Sequence, residues 1–343
     1  MANSEQVRAS FDIGSGATKL TIARVGLLGD DGAAEVREVL FEEHTEVLYG
    51  HDLKRRGPGE AKELSEEIMA HGRAVFQRYH ELCMSPRFRV AKASGIATAV
   101  FREADNGAAF LEALQQDFGL SLHLIRQEEE AVLGFRTAVA VVRQTHLEGD
   151  ITSWDSGGSS FQLVSLRERG HSVESDVEEK DRYEMYCGSL GASKVTAMMV
   201  TEVQGGDFCQ RPSPNPVSRK DAMALVGLLS GQLPEAPAGL IKRAVVGVGG
   251  SDCMFAVAQM AVSNPGDGCC NIITSEQLLL AIDAECFKTD EELAQYPQPA
   301  MVVPKLCLMY SVMTGLRFSS AMYAPSNGSN LAVLCDRRFW CGT

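Results

Sequence analysis

One pattern occurs twice in the chain and constrains its fold more than any other feature. Residues 11–20 have the sequence F-D-I-G-S-G-A-T-K-L, and residues 154–163 have the sequence W-D-S-G-G-S-S-F-Q-L. The two segments align without a gap. Each predicts a strand, an aspartate where the strand ends, a loop of small residues and a returning strand. Such a duplication indicates two similar domains, each of which offers one loop of this kind.

Strands and helices alternate along the rest of the chain, which favours an α/β fold. Beyond the two repeats, we predict strands at residues 35–44, 88–93, 122–125 and 243–248. Predicted helices cover residues 61–82, 108–118, 128–142, 190–200, 218–229, 251–261, 275–287 and 301–313. A chain of 343 residues suits two domains better than one, and we place them at 1–137 and 138–343.

Charge and cysteine content narrow the functional classes. The formal net charge is −13, which argues against general nucleic-acid binding, because such binding relies on Lys and Arg to neutralise phosphates. No apolar run approaches the roughly 18 residues of a membrane span. The cysteines form no C-x-x-C pair, and Cys269 and Cys270 are adjacent, so we expect reduced thiols in a cytoplasmic protein. In that compartment the Asn327-Gly328-Ser329 glycosylation sequon would be unused.

The first loop carries residues suited to a bound phosphate. Small residues such as Gly14 and Ser15 let backbone amides approach an anion closely. Asp12 would repel phosphate but can hold Mg²⁺, which bridges to phosphate oxygens, and Lys19 could add a cation. The loop returns into a strand, so it is not a Walker A loop, which leads into a helix. A plain hairpin turn is the alternative interpretation.

Two further glycine loops support the same interpretation. In the second repeat, Asp155 is the candidate metal ligand, and the candidate phosphate-binding residues are Gly157, Gly158, Ser159 and Ser160. Gly249 and Gly250 form a turn between a predicted strand and a predicted helix, where amides favour phosphate. Strand–glycine–helix junctions are also common for packing reasons alone, and that alternative stays open for this third loop.

An acidic run, Glu128-Glu129-Glu130, opens the predicted helix at 128–142. Acidic residues in a first helical turn stabilise the helix dipole, and this is the stronger interpretation of the run taken alone. The other interpretation makes one carboxylate a general base that orients a water molecule.

These features, in this order, resemble the Ppx/GppA phosphatase family of exopolyphosphatases and guanosine pentaphosphate phosphatases. Residues 97–104, A-T-A-V-F-R-E-A, resemble the family's A-T-S-A-hydrophobic-R-E-A segment. Residues 125–133, I-R-Q-E-E-E-A-V-L, resemble its I-S-G-x-E-E-A-x-L segment, and residues 190–196, L-G-A-S-K-V-T, resemble L-G-A-x-R-L-T. Actin-like kinases and heat-shock chaperones share the two phosphate loops but lack the R-E-A and E-E-A segments.

The resemblance implies a fold, an activity and a set of site residues. The fold would be α/β, with two ribonuclease-H-like domains of the actin-like ATPase superfamily and the site in the cleft between them. The activity would be the release of a terminal phosphate from polyphosphate or guanosine pentaphosphate by water, with Mg²⁺ or Mn²⁺. Carried over to this chain, Glu129 would be the base, Asp155 and Asp12 would hold the metal, and Arg102 would bind phosphate alongside the glycine loops.

Several positions depart from the family pattern. Gly16-Ala17 replaces Asn-Ser, Lys19 and Lys194 stand where arginine is common, and Arg126-Gln127 replace a Ser-Gly pair. The chain also ends without the extra helical domain of long family members, so we expect short substrates. The alternatives are a non-catalytic sensor of a phosphorylated ligand and a kinase of the same superfamily. Expected partners are a phosphate-rich small molecule or polyphosphate, with no nucleic acid and no membrane. A homodimer is a further alternative for the assembly of the chain.

Overall fold

The structure is a computed structural model that describes residues 5–29, 32–55, 61–142, 150–167, 182–242, 244–263 and 271–340. The chain forms two compact units, one of residues 1–140 together with 327–343, and one of residues 141–326. The C-terminal segment therefore belongs with the first unit, whereas the predicted domain 138–343 had assigned it to the second. The segment lies on the first sheet because its backbone forms hydrogen bonds with β1 and its apolar side chains pack against the sheet.

The first unit is built on a five-stranded sheet in the order β3-β2-β1-β4-β5. Its strands are β1 Glu5–Ile13, β2 Ala17–Leu27, β3 Ala34–Glu46, β4 Lys92–Ala97 and β5 Ser121–Leu124. Strands β1, β2 and β3 are antiparallel neighbours, and β4 and β5 run parallel to β1. The strand predicted at 88–93 is wrong in position. The small residues at 94 and 95 give little apolar signal although Ser94 is fully buried.

The helices of the first unit pack on both faces of this sheet. They are α1 Tyr49–Lys54, α2 Glu66–Met84, α3 Ala99–Glu103, α4 Gly107–Phe118 and α5 Gln127–Val142. Phe11 of β1 packs with Phe76 and Tyr79 of α2 in an aromatic core. Helix α2 begins later than predicted because the Ser65 hydroxyl caps it, accepting a hydrogen bond from the Ile68 amide at 3.2 Å.

The second unit holds a six-stranded sheet in the order β10-β11-β9-β6-β7-β8. Its strands are β6 Ile151–Ser156, β7 Phe161–Leu166, β8 Tyr183–Gly188, β9 Ala244–Gly249, β10 Ile272–Thr274 and β11 Ser320–Pro325. Its helices are α6 Ala192–Met198, α7 Arg219–Gln232, α8 Met254–Val262, α9 Ser275–Glu285 and α10 Val302–Gly315. Apart from β10, the order repeats that of the first sheet, with β6, β7, β8, β9 and β11 in the places of β1 to β5.

The last helix, α11 Asn330–Cys335, packs on the first sheet. Strand β1 alternates strictly: its apolar residues Ala9, Phe11 and Ile13 belong to the main core of the first unit, and the residues between them are polar and buried. The polar side chains of β1 bind the backbone of the C-terminal segment. Arg8 donates a hydrogen bond to the Leu334 carbonyl at 3.0 Å, and Ser10 donates one to the Asn330 carbonyl at 3.3 Å. Asp12 accepts a hydrogen bond from the Ser329 amide at 2.8 Å.

Two sequence expectations concern the whole chain. None of the described helices is long and apolar enough to cross a membrane. No disulfide links the cysteines of the described ranges; Cys269 and Cys270 lie outside them.

Candidate functional site

The two repeats fold into hairpins with the same register. In the first, Asp12 of β1 pairs with Lys19 of β2; in the second, Asp155 of β6 pairs with Gln162 of β7. These four positions are equivalent in the gapless alignment of the repeats. The predicted duplication is therefore confirmed at the level of individual residue pairs.

Each hairpin closes with the same hydrogen bond. The Gly14 amide donates to the Ala17 carbonyl at 2.9 Å, and the Gly157 amide donates to the Ser160 carbonyl at 2.9 Å. Both loops are therefore tight, four-residue turns closed in the same way.

The first loop is braced by the start of α1. The Gly50 amide donates to the Ser15 carbonyl at 2.7 Å, and the Val47 amide donates to the Gly16 carbonyl at 3.1 Å. His51 follows directly on this helix. Burial, with the charge of Arg55 in support, holds the pKa of the His51 imidazole below its usual range, so the ring is uncharged at neutral pH.

The second loop is braced in the same way by the start of α6. The Ala192 amide donates to the Gly157 carbonyl at 3.0 Å, while the Ser193 and Lys194 amides donate to the Gly158 carbonyl at 2.9 and 3.2 Å. The L-G-A-S-K segment of the sequence thus has a structural role, which is to hold the second loop through backbone amides.

Gly191 makes this bracing possible because it lies directly against the loop. A Cβ atom at Gly191 would lie 2.4 Å from both the Gly158 carbonyl carbon and the Ser159 nitrogen. Only a residue without a side chain fits such a close approach of two backbones. The sequence motif contained Gly191, but nothing local in it indicated contact with the loop.

The bracing bonds also fix the direction of the loop amides. In a planar trans peptide, the carbonyl of one residue and the N–H of the next point in opposite directions. With the Ser15 and Gly158 carbonyls bonded to helix amides, the N–H groups of Gly16 and Ser159 point away from those helices. Amides on such small-residue loops are suited to bind phosphate oxygens.

Asp12 and Asp155 differ in their surroundings. Asp12 is buried, and one of its oxygens accepts the Ser329 amide of the C-terminal segment at 2.8 Å. Gly328, which has a φ of +66°, lies so close that a Cβ there would overlap the Asp12 carboxylate. Asp155 is half-buried at the end of β6. Within the described ranges, no three His, Cys, Asp or Glu side chains converge to form a metal cage.

The third loop, Gly249-Gly250, lies at the end of β9 but does not lead straight into a helix. Helix α8 begins at Met254, after Cys253 as its N-cap, so the predicted start at residue 251 is wrong. The Tyr323 hydroxyl bonds the Gly249 and Gly250 carbonyls at 3.3 and 3.2 Å. Burial raises the pKa of the Cys253 thiol to about 11, so it stays protonated and is no nucleophile at neutral pH.

Glu129 lies in the first turn of α5, where its carboxylate contacts the Arg126 amide, the Arg126 guanidinium at 3.5 Å and the Arg338 guanidinium. One oxygen accepts the Arg126 amide at 2.9 Å, which is the helix-capping contact of a glutamate at this position, and the other lies 3.5 Å from the Arg338 guanidinium. The side chain keeps 31% of its surface exposed. Glu129 therefore caps the start of α5, and its carboxylate is half-buried.

Arg102 on α3 forms hydrogen bonds with other residues of the first unit. Its guanidinium donates to Glu130 at 3.1 and 3.2 Å and to the Ile125 carbonyl at 2.6 Å. A phosphate bound by Arg102 would have to compete with Glu130, and so Arg102 stays a predicted ligand only.

In each unit the candidate groups gather at one edge of the sheet. The parallel strands β1, β4 and β5 have their carboxyl ends at the same edge, where the first loop, Arg102 and Glu129 follow. In the second unit, the parallel strands β6, β9 and β11 also have their carboxyl ends at one edge. Asp155, the second loop and the Gly249-Gly250 turn lie there. Open α/β sheets bind ligands at this edge.

Comparison with known proteins identifies the family. The model of the Ppx/GppA phosphatase family matches residues 32–206, just over half of the chain. The structure is similar to that of an Aquifex aeolicus Ppx/GppA family member, with 20% identity, 97% of each chain covered and a TM-score of 0.64. It is also similar to an exopolyphosphatase-like protein (16% identity, 97% of each chain covered, TM-score 0.71).

An exopolyphosphatase from Cytophaga hutchinsonii is a further structural relative, with 14% identity, 96% of each chain covered and a TM-score of 0.67. No curated protein matches the chain in sequence. The structural likenesses establish two ribonuclease-H-like domains of the actin-like ATPase fold, as the family resemblance implied. Together with the match over residues 32–206, they show that this chain belongs to the Ppx/GppA phosphatase family.

Proposed function

We propose that the protein is a hydrolase that releases the terminal phosphate from inorganic polyphosphate or from a phosphorylated guanosine nucleotide. The observation that carries the proposal is the pair of identically braced loops. In each, a helix amide bonds a loop carbonyl, Gly50 to Ser15 and Ser193 to Gly158, and the neighbouring loop amide is turned the other way. Two such loops suit a substrate that presents several phosphates.

Glu129 would act as the general base. It would accept a proton from a water molecule whose oxygen forms the new bond to phosphorus, while the bond from phosphorus to the bridging oxygen breaks. Phosphoryl transfer is mostly positioning and charge stabilisation, so the base contributes chiefly by orienting the water. The half-buried carboxylate in the first turn of α5, with 31% of the side chain exposed, is compatible with this role.

A divalent cation fits the residues present. Mg²⁺ keeps several waters and is held by one or two carboxylates plus substrate phosphates, so a single half-buried aspartate suffices on the protein side. We assign Asp155 this role in preference to Asp12, because Asp155 is half-buried whereas Asp12 is buried. When bound, the cation would neutralise charge that develops on the phosphate oxygens.

Short polyphosphates or nucleotides should be better substrates than long chains. Long polyphosphate needs an extended cationic track, and a net charge of −13 opposes one.

The test is a phosphate-release screen with Mg²⁺ over short polyphosphate, long polyphosphate, guanosine pentaphosphate, ATP and ADP. Release from at least one short substrate, and weaker release from chains of hundreds of phosphates, is the expected result. Activity confined to very long polyphosphate at physiological salt would refute the length preference.

A second candidate function is binding without catalysis. It is favoured by the Arg102–Glu130 pair and by the capping contact of Glu129, which give two supposed catalytic groups purely structural partners. Calorimetric binding of a substrate in the screen, with no phosphate released in the presence of Mg²⁺ or Mn²⁺, would select this alternative.

A further inference from the structure

The residue cluster that follows α11 carries an inference beyond the loops and the base. Asp336 is almost completely buried, with 5% of its side chain exposed, and it binds two arginines. Arg338 donates to it through Nε at 3.0 and 3.1 Å and through Nη2 at 2.6 Å. Arg136 of α5 donates to it at 2.6 Å. The Arg338 guanidinium is therefore fixed in place.

The charge balance of the cluster is consistent with a firm anchor. Burial alone would raise the pKa of the Asp336 carboxyl, but hydrogen bonds from Arg338 and the charges of Arg338 and Arg136 outweigh it and hold the pKa below its usual range. Asp336 is thus ionised at neutral pH, and it keeps both guanidinium groups bound.

The Nη1 end of this anchored guanidinium reaches the proposed base. Arg338 Nη1 lies 3.5 Å from Glu129 Oε1, while Glu129 Oε2 accepts the Arg126 amide. Arg136 lies seven residues after Glu129 on α5, so both side chains lie on one face of the helix, the face that meets the C-terminal segment. The two carboxylate oxygens of Glu129 are thereby held by different parts of the chain.

We propose that Arg338 is a positioning residue, which fixes the carboxylate of Glu129 in the orientation that accepts a proton from water. The inference rests on the proposed function. Its physical basis is that Asp336 and Arg136 remove the conformational freedom of Arg338, so the guanidinium orients Glu129 without having to be ordered at each turnover. A misplaced base is costly, because displacements of about 1 Å can lower a rate on the order of 100-fold.

The test compares Arg338→Gln, Arg338→Lys, Glu129→Gln and the double variant in phosphate release. Arg338→Gln should lower kcat by roughly 10-fold or more with KM unchanged, since the residue acts on the base and not on binding. Arg338→Lys should recover part of the loss. In the Glu129→Gln background, Arg338→Gln should cost nothing further, because its target is gone.

A matched control is Arg24→Gln. Arg24 also forms an exposed ion pair in the first unit, with Glu38 at 3.4 Å, but it contacts no proposed catalytic group. This variant should keep wild-type kcat and KM.

Three kinetic outcomes would overturn the proposal: unchanged kcat in Arg338→Gln, a raised KM with kcat kept, or the same fold-loss in the Glu129→Gln background. If the wild type releases no phosphate, the proposed function fails by itself. Thermal unfolding of the wild type and the same four variants then tests whether Arg338 and Glu129 interact. Non-additive shifts in Tm for Arg338 and Glu129 support the contact, and additive shifts refute it.

Discussion

The contact between Gly191 and the second loop yields the sharpest prediction, for the substitution Gly191→Ala. The added Cβ would lie 2.4 Å from the Gly158 carbonyl carbon and the Ser159 nitrogen, whereas ordinary contacts begin near 3.4 Å. The loop and the start of α6 must therefore separate by about 1 Å. Both obstructing atoms belong to the backbone, so no side-chain rotation can relieve the overlap.

That separation has two measurable effects. The hydrogen bonds from Ser193 and Lys194 to Gly158 span the same gap and would lengthen with it. Overpacking of this kind costs about 1–3 kcal/mol, or roughly 2–12 °C in Tm for a unit of this size. A displacement of about 1 Å in a phosphate loop should also lower kcat/KM by about 100-fold.

Differential scanning fluorimetry and phosphate release measure the two effects. Gly227→Ala is the matched control, because no atom lies within 4 Å of its added Cβ and alanine suits the interior of α7. The control should raise the unfolding free energy by about 0.5–1 kcal/mol and leave turnover unchanged. Wild-type Tm and wild-type kcat/KM in Gly191→Ala would show that the added Cβ does not displace the loop.

Three further predictions follow from the other site residues. Glu129→Gln should lose about 10²–10⁴-fold in kcat, and its Tm should fall less than that of Glu129→Ala, because glutamine still caps the helix but no longer forms an ion pair with Arg338. Glu128→Gln, on an exposed residue, should change neither kcat nor Tm, and equal losses at both positions would leave only a helix-start role. Excess chelator should abolish phosphate release, and Asp155→Asn should be more damaging than Asp12→Asn; full activity without metal would exclude the metal assignment. The folded-state pKa of Asp336 is lowered, so its stabilising contribution is fully present above the unfolded-state pKa of about 4 and is lost as the pH falls from there through the folded-state pKa. The Tm difference between wild type and Asp336→Asn should therefore shrink as the pH is lowered below about 4, and a constant difference would contradict this.

The duplicated hairpins could be predicted from sequence because their determinants are local. An aspartate at a strand end and a run of small residues specify each turn, and Asp12 and Asp155 occupy equivalent positions in the two registers. The strand at 92–97 was placed too early, because small residues such as Ser94 carry no apolar alternation although they are buried.

The bracing and anchoring contacts could not be predicted because they join residues far apart in the chain. Gly191 belonged to a visible motif, yet its role depends on a loop more than thirty residues earlier. The sequon at Asn327-Gly328-Ser329 suggested only an unused modification site, whereas its backbone binds Asp12. Arg338 follows no recognisable pattern, and its meeting with Glu129 arises entirely from the return of the C-terminal segment.

The central claim is that water, activated by Glu129, attacks a terminal phosphate. The most direct measurement is phosphate release from a short polyphosphate in water labelled with heavy oxygen, with Mg²⁺, for the wild type and Glu129→Gln. The wild type should release phosphate carrying one solvent oxygen, and Glu129→Gln should do so about 10²–10⁴-fold more slowly. Phosphate without solvent oxygen, transfer to an acceptor in place of release, or equal rates in the two proteins would contradict the central claim.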